Sequence, residues 1–253
     1  MPGTLEVLFT PAEFAALGER DLSRTICVVF DVLRATSTMV TALANGAEAI
    51  VPVAEIADAL AIRQRRPEVL LAGERDGVRI RTDLTGGVEF DLGNSPREFT
   101  RQRVQGKTIV MTTTNGTRAL WACRKAKTTL IGSFLNLRSL ADRMSLQGPD
   151  NLLLLCGGTQ DEAAYEDILG AGAFCDLVWS VYVDGRVADS ALVARHLYRH
   201  VQNDLLGAVQ HSRNAQRLLA NPELREDVNV CLQRDVVSIV AGLDKNGLVR
   251  KLP

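Results

Sequence analysis

Long apolar runs are missing from this chain. None approaches the ~20 residues an α-helix needs to cross a bilayer, which argues against a membrane-spanning helix. Paired cysteines are missing too. The five present, Cys27, Cys123, Cys156, Cys175 and Cys231, are odd in number and widely spaced, with no Cys-x-x-Cys. That argues against a disulfide framework or a structural zinc site. Cys27 and Cys156 stand in apolar, strand-like runs and read as small buried hydrophobes. An excess of one charge is also absent. The formal net charge is −1, so no global field holds a nucleic-acid backbone or an anionic membrane. Any bound anion must be held by local groups. Met1 to Thr10 lacks a basic region followed by an apolar stretch and does not read as a signal peptide. A cytoplasmic protein is expected.

What is present is ordinary globular material: 46% hydrophobic and 23% charged residues in 253. That length buries a real core. Short apolar runs predict buried strands at Leu5 to Phe9, Ile26 to Phe30, Ala49 to Val53, Glu68 to Ala72, Thr108 to Thr112, Thr128 to Ile131 and Asn151 to Cys156. Between them, helices are predicted over Thr36 to Asn45, Ile56 to Arg65, Thr117 to Ala126, Leu137 to Leu146, Glu162 to Val181 and Ser190 to Leu206. The alternation implies a three-layer α/β/α fold. Its sheet is expected to be largely parallel or mixed, built from similar βα units. We expect one α/β domain over residues 1–253. Gly73 to Arg103 forms an irregular excursion, with a small hairpin, that could cover the site. The polar tail from Asn221 carries little signal beyond a turn region at Gly242 and Gly247.

Ligands of open α/β sheets collect at the carboxyl ends of strands, and three polar turns fall there. Asp31-Val-Leu-Arg34-Ala-Thr36-Ser37-Thr38 leaves a strand and opens a helix. Its hydroxyls can cap, its N–H groups can seat an anion, and Arg34 adds a two-pronged donor. A carboxylate beside an anion is repulsive unless a cation lies between, and Mg²⁺ is the usual bridge. Read alone, the segment is equally well a helix cap with a surface arginine. Thr112-Thr-Thr114-Asn115-Gly116-Thr117 repeats the pattern without charge; by itself it reads first as a capped turn. Its glycine would let backbone approach a ligand. Gly157-Gly-Thr159 is followed by Glu166 and Asp167, and Glu74 ends another strand. Acids at a helix start also favour the macrodipole. Four strand-end acids in a near-neutral chain nonetheless suggest a hard-cation site.

Weaker signals are set aside. Gly170-Ala-Gly172 lies inside a helix and lacks the third glycine of a dinucleotide fingerprint. His196 and His200, with Arg195 and Arg199 beside them, read as a solvated helix face. Aspartyl phosphatases of the haloacid-dehalogenase type carry a second Asp two residues after the first, and here Leu33 stands there. Walker A and Gly-x-Ser-x-Gly sequences are absent.

Taken in order, Asp31-Val-Leu-Arg-Ala-Thr-Ser-Thr, Gly73-Glu74, Phe90-Asp-Leu-Gly-Asn-Ser-Pro96, Thr112-Thr-Thr-Asn-Gly-Thr117 and Glu166-Asp167 resemble the 2-phosphosulfolactate phosphatase family, over roughly Thr25 to Val178. The resemblance implies a Mg²⁺-dependent hydrolase converting 2-phosphosulfolactate to 3-sulfolactate and phosphate, a step that in some organisms belongs to coenzyme M synthesis. Carried onto this chain, it implies catalytic roles for Asp31 and Arg34. It implies substrate binding by Thr36, Ser37, Thr38, Asn94, Ser95, Thr114, Asn115, Gly116 and Thr117. Metal ligands would be Asp31, Glu74, Glu166 and Asp167. Whether water or Asp31 attacks phosphorus stays open. The sulfonate calls for a further cation, with Arg75, Arg79, Arg97 and Arg118 as candidates. The looser match over Gln160 to Tyr165 and Arg81 to Glu89 bears on substrate identity. The alternatives are a phosphatase for another small phosphorylated acid and a non-catalytic module binding such anions. The expected partner is the small phosphorylated sulfonate, with no nucleic acid and no membrane; a homo-oligomer is left open.

Overall fold

The computed structural model describes residues 3–147 and 150–253. Met1 and Pro2, the start of the segment read for a leader, fall outside them. Eleven strands form one sheet among the described residues. They are β1 (Thr4–Leu8), β2 (Thr25–Phe30), β3 (Ala49–Pro52), β4 (Leu70–Arg75), β5 (Val78–Arg79), β6 (Thr108–Thr112), β7 (Thr128–Gly132), β8 (Asn151–Cys156), β9 (Arg186–Val187), β10 (Val240–Leu243) and β11 (Val249–Leu252). Helices are α1 (Ala35–Ala44), α2 (Ile56–Arg65), α3 (Thr82–Thr85), α4 (Arg101–Val104), α5 (Gly116–Ala122), α6 (Leu137–Gln147), α7 (Tyr165–Tyr182), α8 (Asp189–Val201), α9 (Leu205–Val209), α10 (Arg213–Ala220) and α11 (Arg225–Cys231). The fold is α/β, with a mixed sheet between helical layers.

Strand β2 shows why the apolar runs become central strands. Side chains alternate across a sheet. Ile26, Val28 and Phe30 enter one core with Leu169, Phe174 and Tyr198. Cys27 and Val29 enter the opposite core with Met39, Val40 and Leu120. A strand buried on both faces needs no polar alternation. A third core, around Leu71, Ile80, Phe90 and Val110, fixes the β4 edge.

The sheet order is β5-β4-β6-β3-β11-β10-β7-β2-β8-β1-β9. Strands β4, β6 and β3 are parallel to one another, as are β7, β2, β8 and β1. Between the two sets sits the hairpin β10–β11, antiparallel to both its neighbours. The two sets therefore run in opposite senses. Even so, their carboxyl ends meet: a methyl group built on Gly116, just beyond β6, would lie 2.9 Å from Asp31 Oδ2, just beyond β2.

Several boundaries differ from the sequence expectation. The helix predicted from Glu162 begins at Tyr165, because Thr159 and Glu162 pair across a tight turn first. The helix predicted over Ser190 to Leu206 ends at Val201, and Asp204 caps a new one by accepting from Gly207 N–H. The small hairpin is β4–β5, closed by Asp76-Gly77 with φ of 54° and 80°. Asp-Gly with both residues left-handed is the favoured two-residue hairpin turn. The weakly patterned tail supplies α11 and two strands in the middle of the sheet. Gly172 has a packing role: a methyl group there would come 2.1 Å from Ala194 O, where α8 crosses α7.

Candidate active site

Asp31 is the centre of the site. Its backbone caps α1: Thr36 N–H donates to Asp31 O at 2.9 Å, and Thr36 Oγ1 bonds both Asp31 N and O. The carboxylate Oδ1 accepts from Ala35 N–H at 3.1 Å. Its flanks are glycine on both sides. A methyl group on Gly157 would lie 2.9 Å from Asp31 Cβ, and one on Gly116 2.7 Å from Ala35 Cβ. No larger residue fits either place without displacement. The turns after β2, β6 and β8 thus close on one carboxylate.

That carboxylate is buried among others. Burial pushes the Asp31 carboxyl up to about 7, aided by Glu74 and Glu166 and opposed by Ala35 N–H and Arg34. Asp167 is likewise held well above the usual carboxylate range by burial and by Asp31 and Glu166. Both its oxygens take backbone donors: Val32 N–H at 2.7 Å and Gly158 N–H at 2.9 Å. Asp167 thereby ties the β2 and β8 turns together. Glu74 ties the β4–β5 hairpin to the β6 turn, accepting from Gly77 N–H at 2.7 Å and Thr114 N–H at 2.9 Å. Glu166 differs. Asn214 Nδ2 donates to its Oε1 at 2.6 Å, whereas Oε2 is buried with no hydrogen-bond partner.

Arg34 is almost fully buried. Its Nη1 pairs with Asp227 at 2.6 Å and its Nη2 donates to Gly77 O at 2.6 Å. A guanidinium has five N–H donors, so donors remain for an oxyanion. Asp227, fully buried on α11, also accepts from Ser95 Oγ and Arg97 Nε, each at 2.7 Å. Sequence reasoning missed Asp227, Asn214 and Arg217. Asn214 and Arg217 lie on α10 and Asp227 on α11, both short helices, and the partners of Asn214 and Asp227 are between 48 and 193 residues distant. No local spacing could have signalled them.

The cleft at this meeting point has a volume of about 80 Å³. It is lined by Asp31, Arg34, Glu74, Asp76, Asn94, Thr113, Thr114, Asn115, Thr159, Asn214 and Arg217, among others. It brings together Asp31, Arg34, Glu74, Asn94, Thr114 and Asn115 of the residues implicated by sequence. It does not include the hydroxyls of Thr36, Ser37, Thr38, Ser95 and Thr117. Ser37 donates to Val32 O, Thr38 to Asn94 O, Ser95 to Asp227 and Thr117 to Thr113 O. These groups, substrate contacts by the resemblance, are spent on bonds within the turns and between them. Gly116 serves by having no side chain beside Asp31.

The polar surplus here is of one kind. Asn94 Oδ1, Thr113 Oγ1 and Glu166 Oε2 are buried oxygens without partners, and Asp31 is a carboxylate in a poor environment for its charge. Buried acceptors are ordinarily paired, and what they lack is a cation or a donor. Among the described residues no three His, Cys, Asp or Glu side chains form a ready-made metal cage. Mg²⁺ does not require one, since it keeps waters and binds through one or two carboxylates plus substrate phosphate. The donor set therefore fits a hard cation.

Fold and cleft are those of an α/β protein with a polar cleft lined by carboxylates and one buried arginine. Comparison with known proteins makes the class specific. The model of the 2-phosphosulpholactate phosphatase family matches residues 13–246. A probable 2-phosphosulfolactate phosphatase of Caldanaerobacter subterraneus subsp. tengcongensis is 37% identical over 247 residues, covering 96% of this chain and 97% of that protein. Proteins of the same name from Clostridium novyi and Thermotoga petrophila are 36% and 38% identical over 88% and 85% of this chain, and over 90% and 88% of their own lengths. The chain belongs to the 2-phosphosulpholactate phosphatase family, a family of phosphoric monoester hydrolases. No helix among the described residues is long and apolar enough to cross a membrane.

Proposed function

We propose that this protein hydrolyses 2-phosphosulfolactate to 3-sulfolactate and phosphate, with Mg²⁺ as cofactor. The observation that carries the proposal is the set of unpartnered buried oxygens at the site, Asn94 Oδ1 and Thr113 Oγ1 in the wall of the cleft that holds Asp31 and Arg34, and Glu166 Oε2 behind that wall. Acids alone would repel a phosphate ester, so the arrangement makes sense with a divalent cation between them. Asp31 and the unpartnered Glu166 Oε2 would hold Mg²⁺. Glu74 and Asp167, whose oxygens already accept backbone N–H groups, shape the turns around it. When bound, Mg²⁺ would offset phosphoryl charge and lower the pKa of a coordinated water.

The chain's own residues do the rest. Arg34, held by Asp227, offers its remaining donors to phosphate oxygens. Asn115 and Asn94, which line the cleft, orient the ester, while Thr114 donates both its N–H and its hydroxyl to Glu74 and holds the β6 turn in place. The Gly157 and Gly116 backbones exclude water from the flanks of Asp31. A non-catalytic anion-binding module is disfavoured, because acids at the seat would weaken it. The test is phosphate release from a panel of phosphorylated 2-hydroxy acids, with Mg²⁺ and with EDTA. Turnover greatest on 2-phosphosulfolactate and lost in EDTA is expected. Tight binding without turnover across the panel would reject the proposal.

A further inference from the structure

The substrate of the preceding section carries more negative charge than one phosphate subsite can meet. Arg34 and Arg217 are the cationic side chains lining the cleft. Arg34 shares its charge with Asp227 and is the arginine assigned above to the phosphate, so it leaves the second anionic group unmet. The arginines proposed from sequence are engaged elsewhere. Arg75 bonds Glu74 O and Thr112 Oγ1, Arg79 pairs with Glu89, Arg97 with Asp227 and Arg118 with Asp161. None of these four lines the cleft. Among the described residues Arg217 makes no ion pair and no side-chain hydrogen bond.

Its position is nonetheless defined. The aliphatic stem packs over the β4–β5 turn: a methyl group on Gly77 would lie 3.5 Å from Arg217 Cδ and 4.0 Å from Arg34 Nη2. Gly77 is anchored by Glu74 through its N–H and by Arg34 through its carbonyl. The two guanidiniums therefore flank one fixed turn, the first buried at the phosphate end and the second exposed at the rim. A planar guanidinium matches carboxylate or sulfonate oxygens with two parallel donors. Asp76, Glu74 and Asp31 line the same cleft, so an anionic tail without a cationic contact would be repelled.

We infer that Arg217 is the specificity-determining residue for the second anionic group of the substrate, the carboxylate or sulfonate remote from the phosphate. The substrate class it selects is phosphate esters of acids, in preference to phosphate esters with neutral tails. The inference rests on the proposed phosphatase reading only for the identity of the tail.

The experiment is calorimetric titration of 3-sulfolactate, lactate and inorganic phosphate into the Mg²⁺-loaded protein and into Arg217→Ala and Arg217→Lys. Arg217→Ala is expected to weaken 3-sulfolactate by about tenfold or more, the scale of a lost charge-assisted contact at a partly exposed site. Phosphate affinity is expected to stay within about twofold, and Arg217→Lys to recover part of the loss, as a point charge without the fork would. If lactate weakens as much as 3-sulfolactate, the group read is the carboxylate; if lactate is unaffected, it is the sulfonate. An equal loss for phosphate, unchanged 3-sulfolactate affinity, or no 3-sulfolactate binding by the parent would each overturn the assignment. Binding that follows this pattern in a protein without phosphatase turnover would keep Arg217 in its role and reject the hydrolytic reading instead. Arg217 is exposed, so an unchanged thermal midpoint checks that the variants fold.

Discussion

The turn after β2 and the helix α11 serve one cleft by opposite means. The turn places its groups in the cleft directly: Asp31 and Arg34 lie three residues apart, Ala35 N–H donates to the Asp31 carboxylate, and the Thr36 hydroxyl holds the Asp31 backbone. Helix α11 brings no side chain to the cleft; it brings Asp227, which holds Arg34, Ser95 and Arg97 from behind. The first region is local and functional, the second remote and supporting. Activity should therefore be most sensitive in the turn, and stability in the helix.

The sharpest break of that comparison is Asp31→Asn. It should lower kcat/KM for phosphate release by about a thousandfold or more, as expected when a central charged group of a phosphoryl-transfer site is neutralised. Its stability effect has the opposite sign. An aspartate with a folded pKa of about 7 against 3.8 is favoured in its protonated form. That contribution is complete below pH 4 and is lost as pH rises to 7. Roughly three pH units at 1.36 kcal/mol each give about 4 kcal/mol at most. In EDTA, Asp31→Asn should accordingly unfold at higher denaturant than the parent above pH 7, with the gap closing toward pH 4. A gap independent of pH would refute the assignment.

Asp227→Ala should reverse the pattern. Removing one partner of a buried pair strands Arg34 and costs about 3–5 kcal/mol. Denaturant midpoints should fall at every pH between 6 and 8, and activity should fall with the fraction folded as well as through a loosened Arg34. A variant of parental stability would mean that Asp227 does not carry the second region.

Gly157→Ala sharpens the boundary between the two. Its methyl group would meet Asp31 Cβ at 2.9 Å, and overpacking of this kind costs about 1–3 kcal/mol. Activity should drop beyond what the stability loss explains, because the side chain displaced is that of Asp31, the proposed centre of the chemistry. The smallest effect belongs to Ser37→Ala, which removes hydroxyl bonds to Val32 O and Ser133. It should cost about 1 kcal/mol and leave KM within about twofold. A large rise in KM would return Ser37 to the substrate.

The same comparison explains what was legible in the sequence. Strands β2, β6 and β8 were readable because both faces are buried, and the turns after them because caps and glycines leave a local record. Asp31, Arg34 and Asn115 follow from that. The hydroxyls of Ser37, Thr38 and Thr117 looked the same as ligand groups, since sequence does not reveal which way a hydroxyl turns. Asp227 and Asn214 were illegible because each acts on a partner tens to hundreds of residues away. The run Val236 to Leu243 and the stretch Leu248 to Leu252 hold the hairpin β10–β11, but the pairing of two short tail strands into the middle of the sheet leaves no local record. The hairpin's insertion between the parallel sets sets their opposed directions, a property of the whole sheet.

One measurement bears most directly on the proposed Mg²⁺ at Asp31: phosphate release from 2-phosphosulfolactate by EDTA-treated protein during a Mg²⁺ titration. The account predicts turnover that is negligible without the ion, rises and saturates with Mg²⁺, and is not rescued by Mg²⁺ in Asp31→Asn. Full turnover in EDTA, or a parental titration curve from Asp31→Asn, would contradict it.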